Sequence, residues 1–121
     1  MVGVVTPRNR SDEDAVFQNV EPSVSNSARG LKLRFAAVPG TGRCNVGAVY
    51  GWPPDRCREP LQAIKGFRVS PGKESFILVG ASASHPGRWF VPGFKLRYKV
   101  GWRTYATVLK QGLILRVSGS G

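Results

Sequence analysis

The chain has 121 residues, one domain's worth, and its 41% hydrophobic and 10% aromatic content excludes intrinsic disorder. With 15 glycines and 9 prolines a helical bundle is excluded as well, because breakers spread along a chain divide it into short elements joined by turns. Lys and Arg number 18 against 7 Asp and Glu, a formal net charge of +11 whose field favours polyanions: nucleic acid, anionic lipid headgroups or acidic wall polymers.

Val2 to Thr6 reads as a short β-branched strand, entered directly from Met1 without the basic start and apolar stretch of an export signal. Asn9-Arg10-Ser11 fits a glycosylation sequon, a pattern short enough to arise by chance. Asp12, Glu13 and Asp14 form an acidic loop without EF-hand spacing, so a solvated loop is expected rather than a calcium site. Ala15 to Glu21 follows as a strand and Ser23 to Arg29 as a polar connection. Leu31, Leu33 and Phe35 then alternate with Lys32 and Arg34, the period of two that points successive strand side chains to opposite faces.

The glycines of Pro39-Gly40-Thr41-Gly42-Arg43 make a turn and lack the following Lys-Ser/Thr of a phosphate-binding loop. A strand is expected over 45–52, stopped by Pro53-Pro54. Cys44 and Cys57 flank this segment, whose Gly47, Gly51, Pro53 and Pro54 fold it back on itself. A disulfide between them closes a loop, stabilises by roughly 3 kcal/mol and implies an oxidising compartment; two buried free thiols are the alternative. Zinc needs four ligands, and two thiols with one distant histidine fall short.

Ile64 to Val69 is the next expected strand, ending in the turn Ser70-Pro71-Gly72-Lys73. Ser75 to Ala83 is nearly all apolar, as a covered central strand would be. Phe94, Leu96, Tyr98 and Val100 alternate with Lys95, Arg97 and Lys99. A hairpin turns at Gly101-Trp102, where a leading glycine suits a type II′ turn and leaves Trp102 exposed at the tip. Gly112 to Val117 closes a single domain over 1–117, and 118–121 reads as a linker. Roughly eight short strands indicate a sandwich or barrel, and no segment approaches the ~20 apolar residues that cross a bilayer.

Catalytic chemistry finds little support. His85 is the sole histidine, in a turn with Ser82 and Ser84, and proximity in sequence is not triad geometry. No catalytic residue, metal or cofactor is expected. Recognition is the better prospect. Lys32 and Arg34 share one face of their strand, and Lys95, Arg97 and Lys99 one face of theirs; in a common sheet the five would make one broad positive surface. Trp102 could add a stacking contact, while Trp52 and Trp89 are expected in the core. A merely solvated sheet face is the alternative for the cations.

Asn9-Arg10-Ser11, Asp14-Ala15-Val16-Phe17, Val20-Glu21-Pro22, Val69-Ser70-Pro71-Gly72, Leu78-Val79-Gly80, Pro86-Gly87-Arg88, Gly93 to Tyr98, Val100-Gly101 and Tyr105 together resemble small exported or membrane-anchored immunoglobulin-like domains of actinobacteria. The resemblance covers residues 2 to 117 and rests on β-sandwich punctuation. It implies an antiparallel immunoglobulin-like sandwich of seven to nine strands, an extracytoplasmic setting with any signal or anchor outside this sequence, and no catalysis. The expectation is a non-catalytic interaction domain for a protein or an anionic envelope component. The alternative is a nucleic-acid-binding module using a basic sheet face.

Overall fold

The computed structural model describes residues 2–5, 7–39 and 61–118, and among these the chain is all-β without a helix. The strands are β1 (Val2–Val5), β2 (Ala15–Pro22), β3 (Leu31–Pro39), β4 (Arg68–Val69), β5 (Ser75–Ala83), β6 (Gly87–Val91), β7 (Phe94–Val100), β8 (Arg103–Leu109) and β9 (Leu113–Val117). They pair as three antiparallel sheets: β1-β5-β3, β4-β2-β7-β8 and the ribbon β6-β9.

Period-two alternation decides which faces meet. In the first sheet Leu33 lies opposite Ala81, Phe35 opposite Val79 and Ala37 opposite Ile77, so all six share one face. In the second, Phe17 lies opposite Tyr98, Val20 opposite Leu96 and Pro22 opposite Phe94. These two faces pack on each other as a sandwich, with the rings of Phe35 and Phe94 meeting edge to face at 5.9 Å. The ribbon adds Val91, Leu113 and Leu115, all buried, to the same core. Phe94 is 1% exposed and Ile77 is fully covered. Burying one such side chain stabilises by about 1.5–3 kcal/mol, which is what holds three small sheets together.

The sequence expectations hold in outline and fail at instructive points. Ser75–Ala83 is the central strand of its sheet, flanked by β1 and β3. Gly101 has φ 62° and, among the described residues, no non-glycine residue has positive φ, Trp102 included, as the type II′ hairpin requires. The strand expected over Ile64 to Val69 shrinks to Arg68–Val69. Gly66 takes φ 90° and donates its N–H to the Phe17 carbonyl, so 64–67 forms a turn that docks on β2. Gly87–Val91, not foreseen as a strand, pairs with β9. Cys44, Cys57, Trp52 and the strand expected over 45–52 lie outside the described residues.

Candidate functional site

Pairing determines where the cations go. Lys32 and Arg34 are exposed on β3, opposite Ser82 and Gly80 of β5. Arg97 and Lys99 are exposed and Lys95 half-buried on β7, in the other sheet. A single five-cation face therefore does not form. The inner faces of the two sheets pack together, so their outer faces point away from each other and carry two separate positive surfaces. Among the described residues, ion pairs join Arg97 to Glu21 at 3.8 Å, Arg68 to Asp14 at 3.9 Å and Arg8 to Glu74 at 3.5 Å. All are solvent-exposed and contribute little to stability. Lys32, Arg34, Lys95 and Lys99 have no ion-pair partner among the described residues.

A third basic surface lies on the ribbon. Arg88 of β6 sits directly opposite Arg116 of β9, and Phe90 directly opposite Ile114. Phe90 is 61% and Ile114 62% exposed. Like charges facing each other across a ladder are destabilising by several tenths of a kcal/mol, and two large apolar groups in water add nothing to a core. The ribbon thus presents two unpaired guanidiniums beside an apolar pair. At the β7–β8 tip Trp102 is 80% exposed, and the Arg103 guanidinium lies 4.7 Å from its ring centroid.

The fourth feature is a cleft of about 680 Å³ between the loop 7–11 and the inner faces of β7 and β8. Its apolar wall includes Phe17, Leu96, Val100 and Leu109. Tyr98 and Tyr105, opposite each other across the ladder, stack at 5.7 Å with 24° between their planes and also line it. β8 is exposed on both faces as far as Val108, and among the described strands it packs chiefly on β7, an overhang that opens the cleft.

Asn9 builds the opposite wall. Buried at 7% exposure, its side-chain amide donates to the Glu13 and Val69 carbonyls, each at 2.8 Å, and its Oδ1 accepts from the Ser11 N–H and hydroxyl. Its backbone N–H donates to the Lys73 carbonyl, and its carbonyl accepts from Gly72. The sequon reading of Asn9-Arg10-Ser11 thus gives way to a structural one, since both amide hydrogens are committed inside the fold. The loop so pinned brings Arg8 and Arg10 to the cleft.

His85 is exposed, with the Ser84 hydroxyl 3.4 Å from its Nδ1 and its ring 5.8 Å from that of Trp89. Among the described residues no carboxylate is bonded to it, so those residues do not assemble a nucleophile–base–acid relay there. Trp89 is half-buried and donates Nε1–H to the Arg29 carbonyl at 2.7 Å, a core role with a polar anchor. Among the described residues no group of three or more His, Cys, Asp or Glu gathers as a metal site, and no helix is long and apolar enough to cross a membrane.

Sequence reasoning missed Arg88, Phe90, Ile114, Arg116 and the cleft. The strand expected over Gly112 to Val117 is β9, whereas β6 escapes a period-two search because Phe90 puts an apolar group on its outer face. The cleft is drawn from several separate segments. No family model, curated protein or solved structure matches the chain.

Proposed function

We propose that this chain is a non-catalytic binding domain that engages an anionic partner through its unpaired outward cations. The observation that carries the reading is the distribution of charge. Each sheet carries outward Lys or Arg side chains that have no ion-pair partner among the described residues, Lys32 and Arg34 on the first and Lys99 on the second, and on the ribbon Arg88 faces Arg116 directly. Such a surface is destabilising to itself and complementary to a polyanion. The setting we propose is extracytoplasmic; it rests on the disulfide expected from the spacing of Cys44 and Cys57, which lie outside the described residues, and on punctuation that resembles exported immunoglobulin-like domains. The resemblance to those domains extends to the sandwich architecture alone: β5 sits between β1 and β3, an order unlike the immunoglobulin A-B-E-D sheet. Nucleic acid is the second reading, favoured by the exposed Trp102–Arg103 stack as a platform for a base.

The test separates the surfaces. Three double variants, Lys32→Glu/Arg34→Glu, Lys95→Glu/Lys99→Glu and Arg88→Glu/Arg116→Glu, each take the net charge from +11 to +7, since every reversal removes two charges. Lys65→Glu/Lys73→Glu, on exposed turns, is a control of equal charge. Affinity for heparin and for single-stranded DNA is measured against salt. One surface pair should weaken binding at least tenfold more than the control and flatten the salt slope by about two. Equal losses in all four would show generic attraction and refute a built surface. Preference for DNA over heparin at equal charge density would favour the second reading.

A further inference from the structure

We propose that the cleft under β7 and β8 binds a small aromatic carboxylate, with its ring against the Tyr98–Tyr105 stack and its anion at Arg10. Three observations converge. The volume, about 680 Å³, lies within the range of small-molecule sites, and the wall combines apolar Phe17, Leu96, Val100 and Leu109 with the polar groups of Arg8, Arg10, Glu74, Ser75 and Thr107. The stacked tyrosines present aromatic surface to the cleft, Tyr98 half-buried against the core and Tyr105 exposed, a wall suited to a planar ring.

The polar groups are the second observation. Ser75 lines the cleft on the side of β5 that carries Ile77 and Val79, and is 1% exposed. Its hydroxyl is the one buried side-chain polar atom among the described residues without a hydrogen-bond partner. Leaving such a group unsatisfied is costly, and a ligand oxygen would restore the bond.

The third is charge. Arg8 is paired with Glu74, whereas Arg10, two residues along the same pinned loop, has no ion-pair partner among the described residues. Of the charged residues lining the cleft, Arg8 and Arg10 outnumber Glu74, so the net sign selects an anion. Asp12, Glu13 and Asp14 follow on the same loop but do not line the cleft, which limits the site to a single negative charge rather than a polyanion. A guanidinium takes a carboxylate in bidentate fashion, and the apolar wall takes the ring.

Calorimetric titration of the whole chain with 2-naphthoate tests this, with 2-naphthamide as the uncharged analogue and dodecanoate as an aliphatic carboxylate. Naphthoate should saturate one site and bind at least tenfold tighter than either comparator. Arg10→Gln should erase the preference for naphthoate over naphthamide without changing the melting temperature. Tyr105→Ala should weaken both aromatic ligands. Ser75→Ala supplies a readout that a purely structural role would not give: the free protein should be as stable as the parent or more so, yet bind naphthoate several-fold more weakly. No saturable binding at millimolar naphthoate, dodecanoate binding as tightly as naphthoate, or an Arg10→Gln variant with the parent's preference would each overturn the proposal. None of these outcomes depends on polyanion binding, which heparin titration of the same variants reads separately.

Discussion

Replacing Asn9 by alanine should cost about 2–4 kcal/mol, far more than an exposed loop residue would. The side chain makes two donor bonds, to Glu13 O and Val69 O, each at 2.8 Å. The Val69 bond is buried, and stripping its donor leaves a carbonyl without water, a loss of about 1–3 kcal/mol. The Glu13 bond is partly buried and contributes about 1 kcal/mol. The two bonds from Ser11 contribute least, because a hydroxyl and an N–H near the surface turn to water. Asn9→Asp is the sharper perturbation: it keeps both acceptor bonds, loses both donors and sets a carboxylate against two carbonyl oxygens, so it should cost at least as much as alanine. Urea unfolding followed by tryptophan fluorescence measures both, with a constant m-value confirming that only stability has changed. Either variant falling within about 0.5 kcal/mol of the parent would refute the pinned-loop account.

Further outcomes follow from single features. Gly101→Ala places a Cβ at φ 62° and 3.1 Å from a Glu13 carboxylate oxygen; it should lower stability by about 1–2 kcal/mol in a thermal melt. Phe94→Ala, which empties the contact between the two sheets, should cost about 3–5 kcal/mol in the same assay and leave the far-ultraviolet spectrum of the survivors β-type. Trp102→Ser, at the exposed tip, should stay within about 0.5 kcal/mol of the parent. Non-reducing peptide mapping should recover Cys44 linked to Cys57, with reduction lowering stability by roughly 3 kcal/mol.

Local alternation made β3 and β7 legible, since Leu33, Phe35, Leu96 and the Tyr98 ring turn inward while Arg34, Arg97 and Lys99 are exposed. A hairpin such as β7–β8 was legible for the same reason: Gly101 names its own turn. Which sheet a strand joins was not legible. β3 and β7 look alike in sequence, yet β3 pairs with β5 and β7 with β2, and that choice is made by packing between distant segments. The cation surface split accordingly. Asn9 was legible only as a surface motif, because its partners Val69, Gly72 and Lys73 lie about half the chain away. The cleft was hidden for a related reason: an overhanging β8 is a property of sheet width, which no window of residues reports.

The ladders that join β1 to β5 and β2 to β7 also govern how the molecule comes into being. Val2 pairs with Gly80 and Ala15 with Val100, so neither main sheet can close until most of the chain exists. A chain made from its N-terminus must hold the apolar faces of β2 and β3 unpartnered through the synthesis of everything up to β5 and β7. Closing such long loops before any contact rewards them places the domain among slow folders, on the scale of about milliseconds to seconds. During that interval the like charge carried by Lys32 and Arg34, interleaved with Leu31, Leu33 and Phe35, keeps neighbouring nascent chains apart. The same cations that face solvent in the finished sandwich thereby guard β3 on the way there.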